Sequence, residues 1–294
     1  MNDQGPDAPQ TVGGVPTGNV PAGNVPMSAI GASAGGVRAL QDFFAEVSEE
    51  TGLAFIVITH LAPDQPSALS EILARQTRMP VTQVEGSMQI RPNCVYVIQP
   101  DRELIIEGNN VTSRPHSGAV RNRAPIDVFF RSAAAGRKDG LAMVLTGAGS
   151  DGALGVRAIK EGGGVIFAQN PETAEYPTMP RSAIETGAVD FVGEIPELAK
   201  RIAEVARAKS EVANLKVENT EHDIRQILKS LYDQTGHDFS SYKRTTLLRR
   251  ILRRLQVRQI TDLPSYSQLL RDDPDEARQL LGDLLISVTQ FFRD

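Results

Sequence analysis

Three short stretches carry residues that could do chemistry together. Gly31-Ala32-Ser33-Ala34-Gly35-Gly36 follows the apolar run Val25 to Ile30 and precedes a helical pattern from Val37, which places a serine in a G-x-S-x-G strand-to-helix turn. Such a turn can leave Ser33 Oγ proud of a sheet edge as a nucleophile. The same composition also suits an anion-binding loop at a helix N-terminus, or a plain tight βα connection. No Gly-Lys-Ser/Thr phosphate loop follows it, and no G-x-G-x-x-G is present.

An activated serine needs a base within hydrogen-bond reach and a third group to orient that base. Of the 4 histidines, His222 and His237 lie in a C-terminal helical stretch and His116 in a polar loop. His60 directly follows the apolar run Ala54 to Thr59, at its carboxyl end. Its plainer reading is a histidine that ends a strand and bonds a backbone carbonyl. Asp64, Asp101, Asp127, Asp139, Asp151 and Asp190 are available as the orienting acid. Asp151 alone sits in a glycine-rich turn after a strand, Thr146-Gly-Ala-Gly-Ser-Asp151-Gly152 behind Leu141 to Leu145, although it would also serve as a helix N-cap. Backbone N–H groups of Ala148 and Gly149, or those behind Ser33, could hold an oxyanion. The chain order Ser, His, Asp is not the Ser, Asp, His order of ordinary α/β-hydrolases.

The elements that must position these residues alternate. Strand-like runs at Met27–Ile30, Ala54–Thr59, Leu141–Leu145 and Val165–Ala168 are separated by helical patterns. This predicts an α/β fold, a doubly wound and mostly parallel sheet with helices on both faces. Carboxyl ends of parallel strands share one edge, and neighbouring strands lie ~5 Å apart, so Ser33 and His60 can meet. Residues 81–120 are β-like and turn-rich and read as a hairpin excursion, with candidate strands at Asn93–Pro100 and Leu104–Glu107. Residues 1–25, rich in Gly, Pro, Asn and Val with a five-residue echo, read as a tract that does not fold. The expected division is a catalytic domain over 26–205, a linker over 206–220 and a small all-α domain over 221–294.

In that last part, Leu247, Leu248, Ile251, Leu252 and Leu255 make one apolar stripe, and Arg249, Arg250, Arg253 and Arg254 fall on the complementary arc. The arginines read either as a solvated face or as a docking surface for acidic segments. The net charge of −5 leaves no electrostatic footprint for nucleic acid. The single cysteine, Cys94, sits in an apolar segment and reads as a small buried side chain in a reducing compartment. No apolar run approaches the ~20 residues that span a bilayer, and no leader pattern opens the chain, so a cytoplasmic protein without membrane insertion is expected.

Ile30-Gly-Ala-Ser-Ala-Gly-Gly36, Thr59-His60-Leu-Ala-Pro63 and Leu145-Thr-Gly-Ala-Gly-Ser-Asp-Gly152 together resemble the chemotaxis protein-glutamate methylesterases, over about 26–200. The resemblance implies Ser33 as nucleophile, His60 as base and Asp151 as its orienting acid, with an oxyanion donor at Ala148. It also implies hydrolysis of γ-glutamyl methyl esters, and deamidation of glutamine, on cytoplasmic segments of methyl-accepting chemoreceptors. This chemistry calls for no metal and no cofactor. The common member of that family begins with a receiver domain, so control of this chain is expected to come from elsewhere or to be absent. Residues 221–294 are similar to the N-terminal helical region of the chemotaxis receptor methyltransferases, on Asp238 to Arg254 and on Ile286-Ser-Val-Thr-Gln-Phe-Phe-Arg-Asp294. That second resemblance implies S-adenosylmethionine contacts at Thr289 and Arg293, with Ser287 where asparagine is usual. It also implies a hybrid that stops before its methyltransferase catalytic domain.

Overall fold

The computed structural model describes residues 25–61, 66–116, 123–137, 140–213 and 220–285. The tract 1–24 and the positions Asp64, Asp139, Ser287, Thr289 and Arg293 therefore lie outside the described residues. The central sheet joins strands β1 (Met27–Ala32), β2 (Ala54–Thr59), β3 (Val81–Gln83), β5 (Cys94–Val97), β8 (Leu141–Val144), β9 (Val165–Gln169) and β10 (Phe191–Gly193) in the order β10-β9-β8-β1-β2-β5-β3. Every pairing in it is parallel. Strands β1, β2, β5, β8 and β9 are buried along their whole length, as continuous apolar runs covered on both faces must be. Side chains alternate between two cores. Ile30, Phe55, Val57 and Met143 face α1 (Gly36–Glu46) and α6 (Ile195–Ala213). Ala29, Ile56, Ala142 and Val144 face α3 (Pro125–Gly136), α4 (Ala153–Gly162) and α5 (Thr178–Glu185).

The segment expected as one hairpin excursion divides between two sheets. β5 enters the main sheet beside β2, because Cys94, Val95, Tyr96 and Val97 are all apolar enough to be buried on both sides. Only β4 (Ser87–Gln89), β6 (Arg102–Glu107) and β7 (Asn110–Pro115) form a separate antiparallel sheet, in which Glu103, Ile105 and Glu107 alternate with Leu104 and Ile106. The three-residue β10 carried no periodicity long enough to read. Residues 206–213, expected in a linker, are the last turns of α6.

Helices α3 and α4 cap one another. The N-cap residues of both, Ala124 and Gly152, supply no side-chain bond of their own. Asp127, in the first turn of α3, accepts the N–H of Gly155 in the first turn of α4 at 2.6 Å. Asp151, just before α4, accepts N–H groups at the start of α3. The two helices approach closely enough that a Cβ on Gly155 would stand 2.4 Å from Cβ of Phe130. Burial, with the nearby Asp151 charge as a smaller contributor, raises the Asp127 carboxyl above its ordinary value despite the Gly155 bond.

Beyond 220 the chain is helical: α7 (Thr220–Thr235), α8 (Arg244–Arg258), α9 (Leu263–Asp272) and α10 (Pro274–Leu285) enclose a core of Ile227, Leu231, Leu247, Ile251, Leu255, Tyr266 and Leu280. The expected stripe on α8 is inside, but its arginines do not form a docking face for acidic segments. Arg250 and Arg253 are each 1 % exposed and Arg254 is 5 % exposed. Arg254 forks onto Glu276, with Nε at 2.8 Å and Nη2 at 2.5 Å. Arg250 donates to the carbonyls of Lys160 (2.5 Å) and Glu161 (2.9 Å), and thereby satisfies the C-terminal end of α4, where a cation opposes the helix dipole. Burial and the adjacent Arg249 lower the Arg250 guanidinium to about 10. Arg253 bonds the Gly164 carbonyl at 2.8 Å, Asp190 at 2.5 Å and also Asp283, while Lys160 lies 3.6 and 3.7 Å from the same two carboxylates. Arg249 is half-buried, its Cγ against Gly163. Three of the four arginines of the arc, Arg250, Arg253 and Arg254, are thus spent on the contact between α8 and the α/β part and on Glu276 within the helices. The sequence could not show this, because acceptors such as Lys160 O and Asp190 are 63 or more positions away.

Replacing Arg253 by alanine leaves the buried Asp190 and Asp283 carboxylates with Lys160 as their remaining cation, and should cost about 3 kcal/mol in chemical denaturation, the lower end of what breaking a buried pair costs. Arg278→Ala, which breaks an exposed i,i+3 pair with Asp275, should leave stability unchanged in the same assay. Asp127→Asn keeps the acceptor for Gly155 while removing the buried charge. A carboxyl whose folded-state value is raised favours folding at low pH and loses that contribution as pH rises through the folded-state value. The stability of the Asn variant relative to wild type should therefore improve as pH is raised through the carboxylate range; a flat difference across that range would contradict the assignment.

Candidate active site

Each of the three stretches ends a central strand on the same sheet edge. Ser33 follows β1, His60 follows β2, and Asp151 lies in the turn after β8, with β1 hydrogen-bonded between the other two. The chain runs outward from β1 through β2 to β5, and later from β8 through β9 to β10. The switch in direction thus opens the carboxyl edge between β1 and β8, where open α/β sheets place their sites.

Ser33 Oγ is 2.9 Å from His60 Nδ1, and His60 Nε2 is 2.8 Å from Asp151 Oδ2. Both lie within the reach that proton transfer and orientation require. Asp151 is held from behind. Its Oδ2 also accepts the Ile126 N–H at 3.1 Å, and its Oδ1 the Asp127 N–H at 2.8 Å. Pro125 stands at the first helical position, where a missing N–H costs nothing, and the two N–H groups that follow it point at the carboxylate. Asp151, its side chain 7 % exposed, faces the imidazole with a carboxyl group that already accepts two backbone N–H groups. An N–H on His60 Nε2 matches that acceptor, which leaves the lone pair of Nδ1 toward the Ser33 hydroxyl.

The serine turn is built by main-chain bonds. Ser33 N–H donates to Thr146 O at 3.0 Å, and Gly36 N–H to Ser33 O at 2.8 Å. Among the described residues the non-glycine positions with positive φ are Asn93, Asp101 and Gln259, so Ser33 is held at ordinary backbone angles, unlike a strained nucleophile elbow. The 145–152 turn passes so near that a Cβ on Gly147 would stand 2.9 Å from Ser33 Cβ, and 2.7 Å from Met179 Cε. Of the two expected oxyanion donors, Gly149 N–H is already engaged by Thr178 Oγ1 at 3.1 Å. Ala148 is exposed, and its N–H meets no acceptor among the described residues. The same holds for Ala34 N–H, immediately after the serine.

The other candidates are elsewhere. Asp190 pairs with Arg253 and Lys160, His222 and His237 bond within the helical part, and Asp101 pairs with Arg123. Sequence reasoning overlooked the backbone of Ile126 and Asp127. The proline at 125 signalled a helix start, but nothing local told which carboxylate it would meet.

The CheB methylesterase family profile matches residues 28–202, and the all-alpha domain of the CheR methyltransferases matches residues 222–285. An uncharacterised 104.1 kDa protein of Rhodobacter capsulatus is 36 % identical over 251 residues, covering 77 % of this chain and 26 % of that protein. A Halobacterium salinarum protein-glutamate methylesterase/protein-glutamine glutaminase is 33 % identical over 183 residues, covering 59 % of this chain and 52 % of its own length. The chain thus spans about a quarter of the first relative and about half of the second. The crystal structure of the Thermotoga maritima CheB methylesterase catalytic domain superposes with a TM-score of 0.56 at 26 % identity, covering 61 % of this chain and 98 % of that one. With the profile spanning more than half of its length, the chain belongs to the CheB methylesterase family.

Proposed function

We propose that the chain is a protein-glutamate methylesterase that hydrolyses γ-glutamyl methyl esters on cytoplasmic segments of chemoreceptors, with the related deamidation of glutamine. The observation that carries the reading is the unbroken chain of hydrogen bonds from Ser33 through His60 to Asp151. In it Ser33 Oγ attacks the ester carbonyl while its proton passes to His60 Nδ1. The imidazolium, steadied by Asp151, returns that proton to the departing methoxide, which leaves as methanol. Water then attacks the acyl-serine as His60 takes its proton and passes it to the departing Ser33 Oγ; the glutamic acid formed ionises and leaves as its carboxylate. Backbone N–H groups of Ala34 and Ala148, both without an acceptor among the described residues, are suited to the tetrahedral oxyanion; each such donor is worth ~3 kcal/mol in a comparable site. The mechanism calls on side chains, backbone and water.

The geometry supports a protein substrate. The His60 side chain is 36 % exposed, so the site is a shallow edge that a side chain projecting from a folded surface can reach. No helix among the described residues is long and apolar enough to cross a membrane, which fits an enzyme that meets its receptors from the cytoplasm.

Methanol release from a methylated receptor fragment, followed against Ser33→Ala, tests the reading. The variant should lose at least about 10⁴-fold in kcat with its fold intact, as in other serine enzymes of this design. Release of ammonia from receptor glutamine should fall in parallel. Equal methanol release by wild type and variant would sink the assignment.

A further inference from the structure

Ser33, His60 and Asp151 leave unexplained a cavity that opens on His60. Its volume is about 260 Å³, and Asp101, Arg102, His116 and Arg123 are among the side chains that line it. It is smaller than the ~300–1,000 Å³ of typical small-molecule sites and of a size for one side chain. Arg102 is tied to Ser113, through Nε to Oγ and through Nη2 to the carbonyl, each at 3.1 Å. Arg123 is less committed. Its Nη1 meets Asp101 Oδ1 at 2.6 Å, yet its Nε is buried with no acceptor among the described residues. A guanidinium presents five donors in a planar fork, and a buried donor left without an acceptor is costly. Asp101 is a weak reason for holding an arginine here, because its side chain is 56 % exposed and exposed pairs contribute little. His116 adds no charge at neutral pH: burial first, and the Arg123 cation second, hold it below its ordinary value against the pull of Glu103. The charged lining is thus two guanidinium groups against one carboxylate.

We propose that this cavity is a recognition subsite for a carboxylate side chain of the substrate protein, one that neighbours the esterified glutamate, and that Arg123 binds it. The inference rests on the methylesterase reading. A carboxylate entering the cavity meets two guanidinium groups against one carboxylate, and of the two Arg123 is held, among the described residues, only by the exposed Asp101. Asp101 competes for the same guanidinium, so it tunes the subsite.

The test uses the whole chain and two methyl-esterified receptor fragments, one with its acidic neighbours intact and one with those neighbours changed to amides. Arg123→Ala should raise KM for the acidic fragment about tenfold, with kcat within about twofold, and leave KM for the amidated fragment unchanged. Arg123→Lys should recover part of the loss. Asp101→Asn, which frees the fork, should lower KM for the acidic fragment alone, and this arm stands even if Arg123→Ala does not fold. Hydrolysis of 4-nitrophenyl acetate should be the same in all of them. Equal effects on both fragments, or an unmoved KM, would overturn the subsite and leave Arg123 a partner of Asp101 only. Failure of the esterase reading would show separately, as wild type releasing no methanol from either fragment.

Discussion

The site depends on the exchange of carboxylates between two helix starts. Asp151 closes the N-terminus of α3 and Asp127 closes that of α4, so neither helix carries a side-chain cap from its own N-cap residue. Each helix end offers unpaired N–H groups and the positive end of a dipole, which is what a carboxylate in a half-dry turn requires. The exchange fixes the spacing between the helices, which Gly155 against Phe130 makes close. It also turns one carboxylate outward. Asp151 still has a lone pair for His60, whereas Asp127 is turned to Gly155 and buried. A single set of bonds therefore holds the fold together and orients the imidazole.

The opposite end of α4 is closed by the helical part. Arg250 takes the last carbonyls of that helix, and Arg253 reaches the start of β9 and the Asp190 that follows it. A helix whose first turn faces the acid of the site is thereby fixed at both ends, once by its neighbour α3 and once by α8. The helical segment is built into the α/β part through buried, charge-assisted bonds, so its arginines are structural.

Much of this was legible in the sequence. The continuous apolar runs before Ser33, His60 and Asp151 predicted parallel strands, and parallel strands share a carboxyl edge; the meeting of three residues up to 118 positions apart followed from that one rule. The stripe Leu247, Ile251, Leu255 was equally readable. What escaped were features set by tertiary contact. Charge on α8 looked like surface because arginine usually is surface, and only the fold brings Lys160 O, Asp190 and Asp283 to meet it. β10 was too short to show a period, and β5 changed sheets because its burial on both faces, not its turn-rich surroundings, decided where it paired. The oxyanion reading was half legible: a glycine-rich turn promised free N–H groups, but Thr178 takes the one on Gly149.

The central claim is that Asp151, held by the start of α3, sets His60 with its proton on Nε2 and its lone pair on Nδ1 facing Ser33. The ¹⁵N chemical shifts of the His60 ring, recorded at a pH where the ring is neutral, read that arrangement directly. The account predicts a protonated Nε2 and a bare Nδ1 in the wild type, and a mixture of tautomers in Asp151→Ala. A proton on Nδ1 in the wild type, or a tautomer indifferent to Asp151→Ala, would contradict it.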